Sequence, residues 1–252
     1  MSPALPQFAA RIAAPSTYAD WIDESYRHAW IIMPAFNEAS VIADVIGNLR
    51  ATFPNVVVVD DGSHDDTPAL ARQAGAHVVT HPVNLGQGAA IQTGVEYARK
   101  RAGAQVFATF DADGQHQVRD VVAMIERLGH GDVDIVVGTR FAAGPPTGVP
   151  ILKRIVLKTV AALSPTSRKL KLTDAHNGLR VFNRTVAGDL DITINGMGHA
   201  SEFIALILEN GWRVAEQPVE ILYTDYSMSK GQPLLNGVNI VFDGFLRKRL
   251  PR

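Results

Sequence analysis

Apolar positions along the chain recur with two periods, which predict strands alternating with helices. Short runs of consecutive apolar and β-branched residues are typical of buried strands, and apolar positions three or four apart are typical of helices. The predicted strands span residues 29–34, 55–59, 77–80, 105–110 and 134–138. The predicted helices between them span residues 38–52, 65–74, 86–100 and 118–128. Such an alternation predicts an α/β fold with a mostly parallel central sheet flanked by helices.

The regular alternation ends near residue 141, and a less periodic half of the chain follows. We interpret it as a glycine- and proline-rich loop, a basic stretch, a polar segment, a helix, a strand and a final amphipathic helix. The loop spans residues 142–150, the basic stretch 151–172, the polar segment 173–184, the helix 200–210, the strand 213–223 and the final helix 234–252. Before the first strand, an irregular extension over residues 1–28 contains a short helix that begins near Ser16 or Thr17. We therefore predict one main domain over residues 29–233 with an appended element at each end.

Composition excludes several classes of function. The chain has 24 basic and 25 acidic side chains, a net charge of −1, so no overall positive field attracts nucleic acid. It has no cysteine, which excludes disulfides, thiolate metal sites and thiol nucleophiles. We find neither a signal peptide nor a run of about 18 apolar residues. We therefore expect a cytoplasmic protein, attached at most to the surface of a membrane.

Polar residues follow four of the predicted strands directly. They are Asn37 with Glu38, Asp60 with Asp61, Asp111 with Asp113, and Thr139 with Arg140. In sheets of this kind, ligands bind outside the carboxyl ends of the strands, where the strand order reverses. The coincidence of four such groups predicts a binding site at this edge of the sheet.

Asp111 and Asp113 flank the small residue Ala112 at the end of a strand. This spacing allows both carboxylates to approach one hard cation, or one to bind metal while the other holds a sugar hydroxyl. Mg²⁺ and Mn²⁺ prefer oxygen ligands and keep positions for phosphate oxygens, and Gln115 offers a neutral carbonyl ligand. The alternative is a helix cap at Asp111 and a solvated turn residue at Asp113. The neighbouring strand ends favour the metal site.

The polar residues after the first two strands have two readings each. The carboxylates of Asp60 and Asp61 suit a ribose hydroxyl or a base edge, but they also suit an ordinary turn before a helix. Asn37 and Glu38 suit a nucleobase, although Asn37 also suits a helix N-cap. A loop at residues 84–88 has glycines that permit close approach of the backbone. It matches neither the dinucleotide-binding glycine pattern nor the P-loop, so neither NAD-type binding nor ATP hydrolysis is indicated.

Five motifs occur in a fixed order over about residues 29–230. They are PAFNE at 34–38, VDDGS at 59–63, NLGQG at 84–88, DADGQH at 111–116 and GTRF at 138–141. This order resembles family 2 glycosyltransferases of the GT-A fold, and within them the polyprenyl-phosphate sugar synthases. The resemblance implies an inverting transferase that moves a sugar from a nucleoside-diphosphate sugar to a polyprenyl phosphate at a membrane surface.

The resemblance also implies roles for individual residues. The metal, Mg²⁺ or Mn²⁺, would be held by Asp111, Asp113 and Gln115. The nucleotide-sugar site would comprise Pro34, Ala35, Asn37, Glu38, Asp60, Asp61, Gly86, Asp111, Ala112 and Lys230. The catalytic residues would be Arg140, Asp174, Arg180 and Glu202, with Arg140 facing the acceptor phosphate and Glu202 on a helix bordering the centre.

One segment departs from the family pattern. The synthases usually carry Arg-x-x-Gly-x-Ser-Lys after the last strand, whereas this chain retains Ser229 and Lys230 without the arginine and glycine. Because that segment would cover the donor, the identities of the sugar and of the acceptor stay open.

The nature of the acceptor has two alternatives. An anionic phosphate needs little help from a base, and Arg140, Arg180 and Lys230 favour it because basic side chains hold phosphate. A saccharide or another hydroxyl acceptor needs a general base, for which Asp174 and Glu202 are the candidates. A non-catalytic nucleotide-sugar binding module is a third reading. A nucleotidyltransferase is disfavoured because residues 31–37 contain no glycine.

Two basic stretches suggest contact with a membrane. Residues 151–172 combine apolar and basic side chains with no acid, and the last helix ends in Arg247, Lys248 and Arg249. Such helices lie in anionic membrane interfaces, or else pack an apolar stripe on the protein core. We expect peripheral attachment at the inner face of the membrane, directly or through a membrane-embedded partner, with homo-oligomerisation as a further use of these faces.

Overall fold

A seven-stranded sheet forms the centre of the part of the chain that the structure, a computed structural model, describes: residues 18–140, 169–170, 172–174 and 177–222. The strands are β1 (Ala29–Ala35), β2 (Asn55–Asp60), β3 (His77–Thr80), β4 (Val106–Thr109), β5 (Ile135–Thr139), β6 (Arg180–Asn183) and β7 (Val214–Pro218). The helices are α1 (Tyr18–His28), α2 (Ile42–Arg50), α3 (Thr67–Gln73), α4 (Gln87–Arg99), α5 (Val118–Leu128), α6 (Arg184–Asp189) and α7 (His199–Asn210).

The strand order brings the predicted polar loops to one edge of the sheet. The order is β3-β2-β1-β4-β6-β5-β7, and every neighbouring pair is parallel except those that β6 makes with β4 and β5. Ala35 pairs with Asp60, and Ile32 pairs with Thr109, so β1, β2 and β4 end close together. The predicted α/β fold with a mostly parallel sheet is confirmed.

Apolar side chains on both faces of the sheet explain why the strands read as continuous hydrophobic runs. On β1, Ile31 and Met33 enter a core with α2 and α5, whereas Ile32 enters the opposite core with α4 and α7. Such double-sided burial is typical of parallel sheets covered by helices. Outside this layer, α1 packs on α5, where Trp21 lies so close to Gly129 that a methyl group on the glycine would be 2.1 Å from the indole.

The polar segment over residues 173–184, for which the sequence predicts neither strand nor helix, contains β6 and the first residue of α6. All four residues of β6 are buried, although Arg180 and Asn183 at its two ends are polar. The buried side chain of Asn183 has hydrogen-bond partners, since it donates to Asp134 and accepts from the backbone N–H of Val186. Polar residues at both ends of a four-residue strand hide the apolar run that normally identifies a buried strand.

Several predictions fall on residues that the structure does not describe. They concern residues 1–17, most of the basic stretch 151–172, the segment with Ser229 and Lys230, and the final helix 234–252. The predicted strand 213–223 is shorter, since β7 ends at Pro218. Within the described ranges, no helix is long and apolar enough to cross a membrane.

Candidate active site

The centre of the candidate site is the carboxylate of Asp111, which several groups hold from different elements. Gln87 Nε2, on the first residue of α4, donates to Oδ1 over 3.0 Å, and His116 Nε2 lies 3.1 Å from Oδ2. Because an ionised carboxylate only accepts, the proton of His116 is on Nε2. Gly178 passes so close that a methyl group there would be 2.3 Å from the carboxylate.

The charges around Asp111 keep it ionised. Burial acts to raise its pKa, but the hydrogen bond and electrostatic effect of His116, with smaller effects from His199 and Arg180, outweigh it. The pKa of Asp111 therefore lies below its ordinary value. A buried carboxylate that stays ionised is a suitable ligand for a hard cation.

Asp113 completes a pair of acids at this point. Burial first, and then the negative charge of Asp111, raise the pKa of Asp113 to about 6, with a smaller effect from Glu38. One Asp113 oxygen also accepts the backbone N–H of Gln115 over 3.0 Å. Two adjacent carboxylates that resist joint ionisation are relieved by a cation between them. Glu38, after β1, is near enough to Asp113, after β4, for its charge to act on that carboxylate.

The donor set suits a metal that shares its ligands with a substrate. In the described ranges, no group of three or more His, Asp or Glu side chains is arranged to hold an ion by itself. Two carboxylates leave most positions of a six-coordinate ion for other oxygens, and Mg²⁺ is commonly bound by one or two carboxylates together with phosphate oxygens. Asp111 and Asp113 therefore fit a magnesium or manganese ion that is completed by a diphosphate.

The loops after β1 and β2 are joined by side-chain hydrogen bonds. Asn37 adopts a left-handed conformation with φ of 56°, its amide oxygen accepts from His64 N, and its own N–H donates to Ser63 Oγ. Asp60 is buried and accepts from Ser63 N over 3.3 Å, which is the turn interaction that the sequence allowed. These contacts fix the loops beside Pro34 and Ala35. The predicted contacts of this group with a nucleoside stay predictions.

The carboxylate of Asp61 holds a neighbouring loop. Its carboxylate, 3% exposed, accepts from the backbone N–H groups of Leu85 and Gly86 over 2.9 and 2.7 Å and pairs with His81 Nδ1 over 2.7 Å. Both oxygens therefore hold the loop at residues 84–88, and a contact of Asp61 with the nucleotide sugar stays a prediction. Gly86 is required there, because its φ is 100° and a methyl group would lie 2.4 Å from the carbonyl oxygen of Asn195.

We expect Asp61→Asn to lower the free energy of unfolding by about 1–3 kcal/mol, because an amide cannot accept all three hydrogen bonds of the carboxylate. Urea unfolding measures the change. The matched control is Asp66→Asn. Asp66 is an exposed acid at the N-cap of α3, and its substitution should change the free energy of unfolding by less than about 0.5 kcal/mol. Equal stability of the two variants would contradict a loop-holding role.

The two predicted general bases are both engaged in hydrogen bonds. Asp174 is buried and forms a fork with Arg140, whose Nε and Nη2 lie 2.6 and 2.7 Å from its two oxygens. Glu202 on α7 accepts from the N–H and hydroxyl of Thr193 and from Ile194 N. The guanidinium of Arg140 is paired with Asp174, and its predicted place facing an acceptor phosphate stays a prediction. Glu202 holds a loop whose next residue, Asn195, accepts from Gly88 N.

Arg180, predicted as a catalytic residue whose charge favours a phosphate acceptor, lies inside the protein. Its guanidinium is fully buried, lies 4.7 Å from the ring centre of Phe203, and has no hydrogen-bond partner for Nε, Nη1 or Nη2 among the described residues. Burial lowers its pKa to about 10, against the opposing charges of Asp111 and Asp174. The positive charge of Arg180 therefore acts on Asp111 and Asp174 from the protein interior.

Sequence reasoning missed three residues around Asp111. Gln87 and His116 fall inside the motifs NLGQG and DADGQH, so their positions beside the acid pair were a usable signal. His199 follows no strand and belongs to no motif, and only the packing of α7 brings its buried ring near Asp111 and Arg180.

Comparison with known proteins identifies the family and the fold. The family model described as glycosyl transferase family 2 matches residues 30–190. Among solved structures, glucosyl-3-phosphoglycerate synthase from Mycobacterium tuberculosis, in complex with Mn²⁺, UDP-glucose and phosphoglyceric acid, is similar with a TM-score of 0.70 and 18% identity. The match covers 94% of this chain and 85% of that one. At this identity the likeness shows the fold, which is GT-A.

Curated relatives match over most of their length. An uncharacterised protein of Methanocaldococcus jannaschii is 33% identical over 87% of this chain and 91% of its own. A UDP-N-acetylglucosamine–dolichyl-phosphate N-acetylglucosaminyltransferase of Methanococcus voltae is 27% identical over 84% of this chain and 93% of its own. A polyprenol monophosphomannose synthase of Mycolicibacterium smegmatis is 27% identical over 88% of both chains.

Proposed function

Because this chain belongs to glycosyl transferase family 2, we propose that it moves a sugar from a nucleoside-diphosphate sugar to a polyprenyl phosphate, with Mg²⁺ or Mn²⁺ on the donor diphosphate. The observation that carries the donor half is the acid pair at the end of β4. Asp111 is held ionised, and burial together with the negative charge of Asp111 raises the pKa of Asp113. The pair is therefore suited to bind a cation. Gln115 is the proposed third protein ligand.

The order of strands supports a direction for the donor along the edge of the sheet. The predicted nucleoside residues follow β2 and β1, and the acid pair follows β4, which is the next strand. When bound, the metal neutralises charge that develops on the diphosphate as it leaves. The protein supplies the carboxylates of Asp111 and Asp113, which would hold the metal ion. Gln87 and His116 supply the hydrogen bonds that orient Asp111.

The commitment of both candidate bases supports a phosphate acceptor. A hydroxyl acceptor must lose a proton, but Asp174 is forked with Arg140, and Glu202 accepts three hydrogen bonds from Thr193 and Ile194. A phosphate oxygen is already anionic, so it can attack the anomeric carbon without a base. That attack forms the new carbon–oxygen bond, breaks the bond to the donor diphosphate, releases the nucleoside diphosphate and inverts the anomeric centre.

The relatives support the same acceptor class. The name of one specifies a dolichyl-phosphate acceptor, and the name of another specifies a polyprenol monophosphomannose product. They differ in the sugar, so the sugar of this chain is a matter for experiment. With a lipid acceptor, the reaction takes place at a membrane surface, where residues 151–172 and 234–252 are the proposed points of contact.

We expect nucleoside diphosphates to stabilise the protein against heat only when manganese is present. A ligand at one hundred times its Kd adds about 2.7 kcal/mol, which raises the Tm of a chain of this size by several degrees. A thermal-shift panel of UDP, GDP and dTDP, each with and without Mn²⁺, measures this and identifies the base. Stabilisation that is independent of metal would contradict the proposed donor site.

The acceptor is tested by transfer from the matching nucleotide sugar to three compounds. Polyprenyl phosphate in phospholipid vesicles should be glycosylated, whereas polyprenol without the phosphate and a free saccharide should not. Transfer to the saccharide but not to the lipid phosphate would establish the hydroxyl-acceptor alternative. Donor binding without transfer to any of them would favour the non-catalytic binding module.

A further inference from the structure

His199, the first residue of α7, is a buried histidine that the proposed reaction does not yet use. It lies against the loop at residues 84–88, because a methyl group on Gly88 would be 2.8 Å from its Cβ. The charges of Arg180 and Asp111 both act on its ring. Gly88 follows Gln87, which donates to Asp111, so the buried imidazole at the start of α7 lies near this carboxylate.

The hydrogen bond of this ring fixes its tautomer. Nδ1 lies 2.9 Å from the carbonyl oxygen of Gly196, which can only accept, so Nδ1 carries the proton. Nε2 is then a lone-pair acceptor, and it has no hydrogen-bond partner within the part of the chain that the structure describes. Burial, together with the nearby charge of Arg180, lowers the pKa of His199 to about 4. The ring is neutral at neutral pH, and Nε2 keeps its lone pair.

Apart from the acid pair itself, the groups around Asp111 are donors. Gln87 and His116 donate to the carboxylate, and Arg180 carries only donors. In the proposed function the cation and these donors occupy the carboxylates of Asp111 and Asp113, so a ligand hydroxyl, which donates as well as accepts, needs a further acceptor for its proton. Nε2 of His199 supplies the missing acceptor.

The sheet order indicates which part of the donor meets this acceptor. From β2 through β1 to β4, the site passes from the proposed nucleoside residues to the acid pair that holds the diphosphate. The transferred sugar is attached to the phosphate farther from the nucleoside, so it lies beyond the pair, toward β6 and α7. His199 is on that side.

We propose that Nε2 of His199 accepts a hydrogen bond from a hydroxyl of the transferred sugar, which makes His199 a specificity-determining residue for the donor. The inference rests on the proposed function and adds to it the group that reads the sugar. Because a neutral imidazole in one fixed tautomer accepts and does not donate at Nε2, it selects a sugar with a free hydroxyl at that position over one in which the hydroxyl is absent.

Two substitutions separate the two ring nitrogens. His199→Asn places an amide N–H near the position of Nδ1, so the bond to Gly196 can persist while the acceptor at Nε2 is lost. His199→Gln places an amide oxygen near the position of Nε2 and restores an acceptor there. Calorimetry in the presence of Mn²⁺ gives the affinities of both variants for UDP-glucose, UDP-N-acetylglucosamine or GDP-mannose, whichever the wild type binds, and for the parent UDP or GDP.

The expected result is a loss confined to the sugar. In His199→Asn, affinity for the nucleotide sugar should fall about tenfold, which corresponds to one neutral hydrogen bond, while affinity for the parent diphosphate should change less than about twofold. His199→Gln should recover most of the loss. Unchanged affinity for the nucleotide sugar in His199→Asn would overturn the inference.

Other outcomes also discriminate. An equal loss for the nucleotide sugar and the parent diphosphate would mean that His199 acts on the metal or on the fold, and it would overturn the inference while leaving the proposed function intact. Failure of the wild type itself to bind any of these diphosphates with Mn²⁺ would overturn the proposed function and, with it, this inference.

Discussion

Asp113→Asn is expected to lower metal-dependent sugar transfer by about a thousandfold while the protein stays folded. The substitution keeps the shape of the side chain but removes the charge that pairs with the cation. A metal ion on a leaving diphosphate contributes several kcal/mol to the transition state, and each 1.36 kcal/mol is a factor of ten in rate. Steady-state transfer assays over a range of Mn²⁺ concentrations measure the loss.

The stability of the same variant provides an internal control with a defined sign. The pKa of Asp113 is about 6 in the fold, above the ordinary value of 3.8, so the folded state binds its proton more tightly than the unfolded state does. The free energy of unfolding of the metal-free wild type therefore falls, through this group, as pH rises from about 4 to 6. Above that range the ionised pair costs stability, and Asp113→Asn removes the cost.

The variant should consequently be at least as stable as the wild type at pH 7.5 without metal, and the difference should shrink as the pH approaches 4. Added Mn²⁺ with the nucleotide should stabilise only the wild type. The exposed Asp66→Asn is the matched control and should behave as the wild type in every assay. Near-wild-type turnover of Asp113→Asn with Mn²⁺ would contradict the metal site.

The parts of the fold that could be predicted are those whose information is local in sequence. The strands β1, β2, β4 and β5 are apolar runs buried on both faces, and the consecutive apolar residues alone predict a buried strand. Strand β6 escapes this rule because Arg180 begins it and Asn183 ends it. Their burial depends on Phe203, Asp134 and other partners far along the chain.

The same distinction holds within the site. Asp111 and Asp113 are two residues apart at the end of a strand, so their proximity follows from the sequence alone. The partners of a carboxylate do not follow from the sequence alone. The donors to Asp61 are backbone groups 24 and 25 residues away, and the partner of Asp174 is Arg140 in another loop. An acid in a motif is therefore predictable as part of a site, but whether it meets the ligand or holds a loop depends on long-range contacts.

Arg180→Met is expected to lower sugar transfer by about a hundredfold with little or no loss of stability. A buried guanidinium without hydrogen-bond partners is costly to the fold, and a thioether of similar length fills the same space beside Phe203 at no such cost. The carboxylates near Arg180 keep other partners, since Asp111 retains Gln87 and His116. Neither the packing nor these hydrogen bonds require the charge.

We expect catalysis to require it, because the buried charge acts on Asp111, which is the proposed ligand of the metal on the diphosphate. A fixed cation there stabilises the negative charge that develops on the leaving group, and preorganised charges of this kind contribute about 3–4 kcal/mol when they are tested singly. The pKa of Arg180, about 10, leaves it charged at neutral pH despite burial. The unsatisfied guanidinium is thus a cost to folding that is consistent with a catalytic use.

Transfer assays and urea unfolding on three variants test this explanation. Arg180→Met should be as stable as the wild type or more stable, with a much lower kcat. Arg180→Lys keeps a charge at a shorter reach and should recover part of the rate. Arg184→Met, at the exposed arginine that follows β6, is the matched control and should keep full activity. If Arg180→Met were unstable but, where folded, fully active, the buried charge would be structural, and the assignment of Arg180 to catalysis would be wrong.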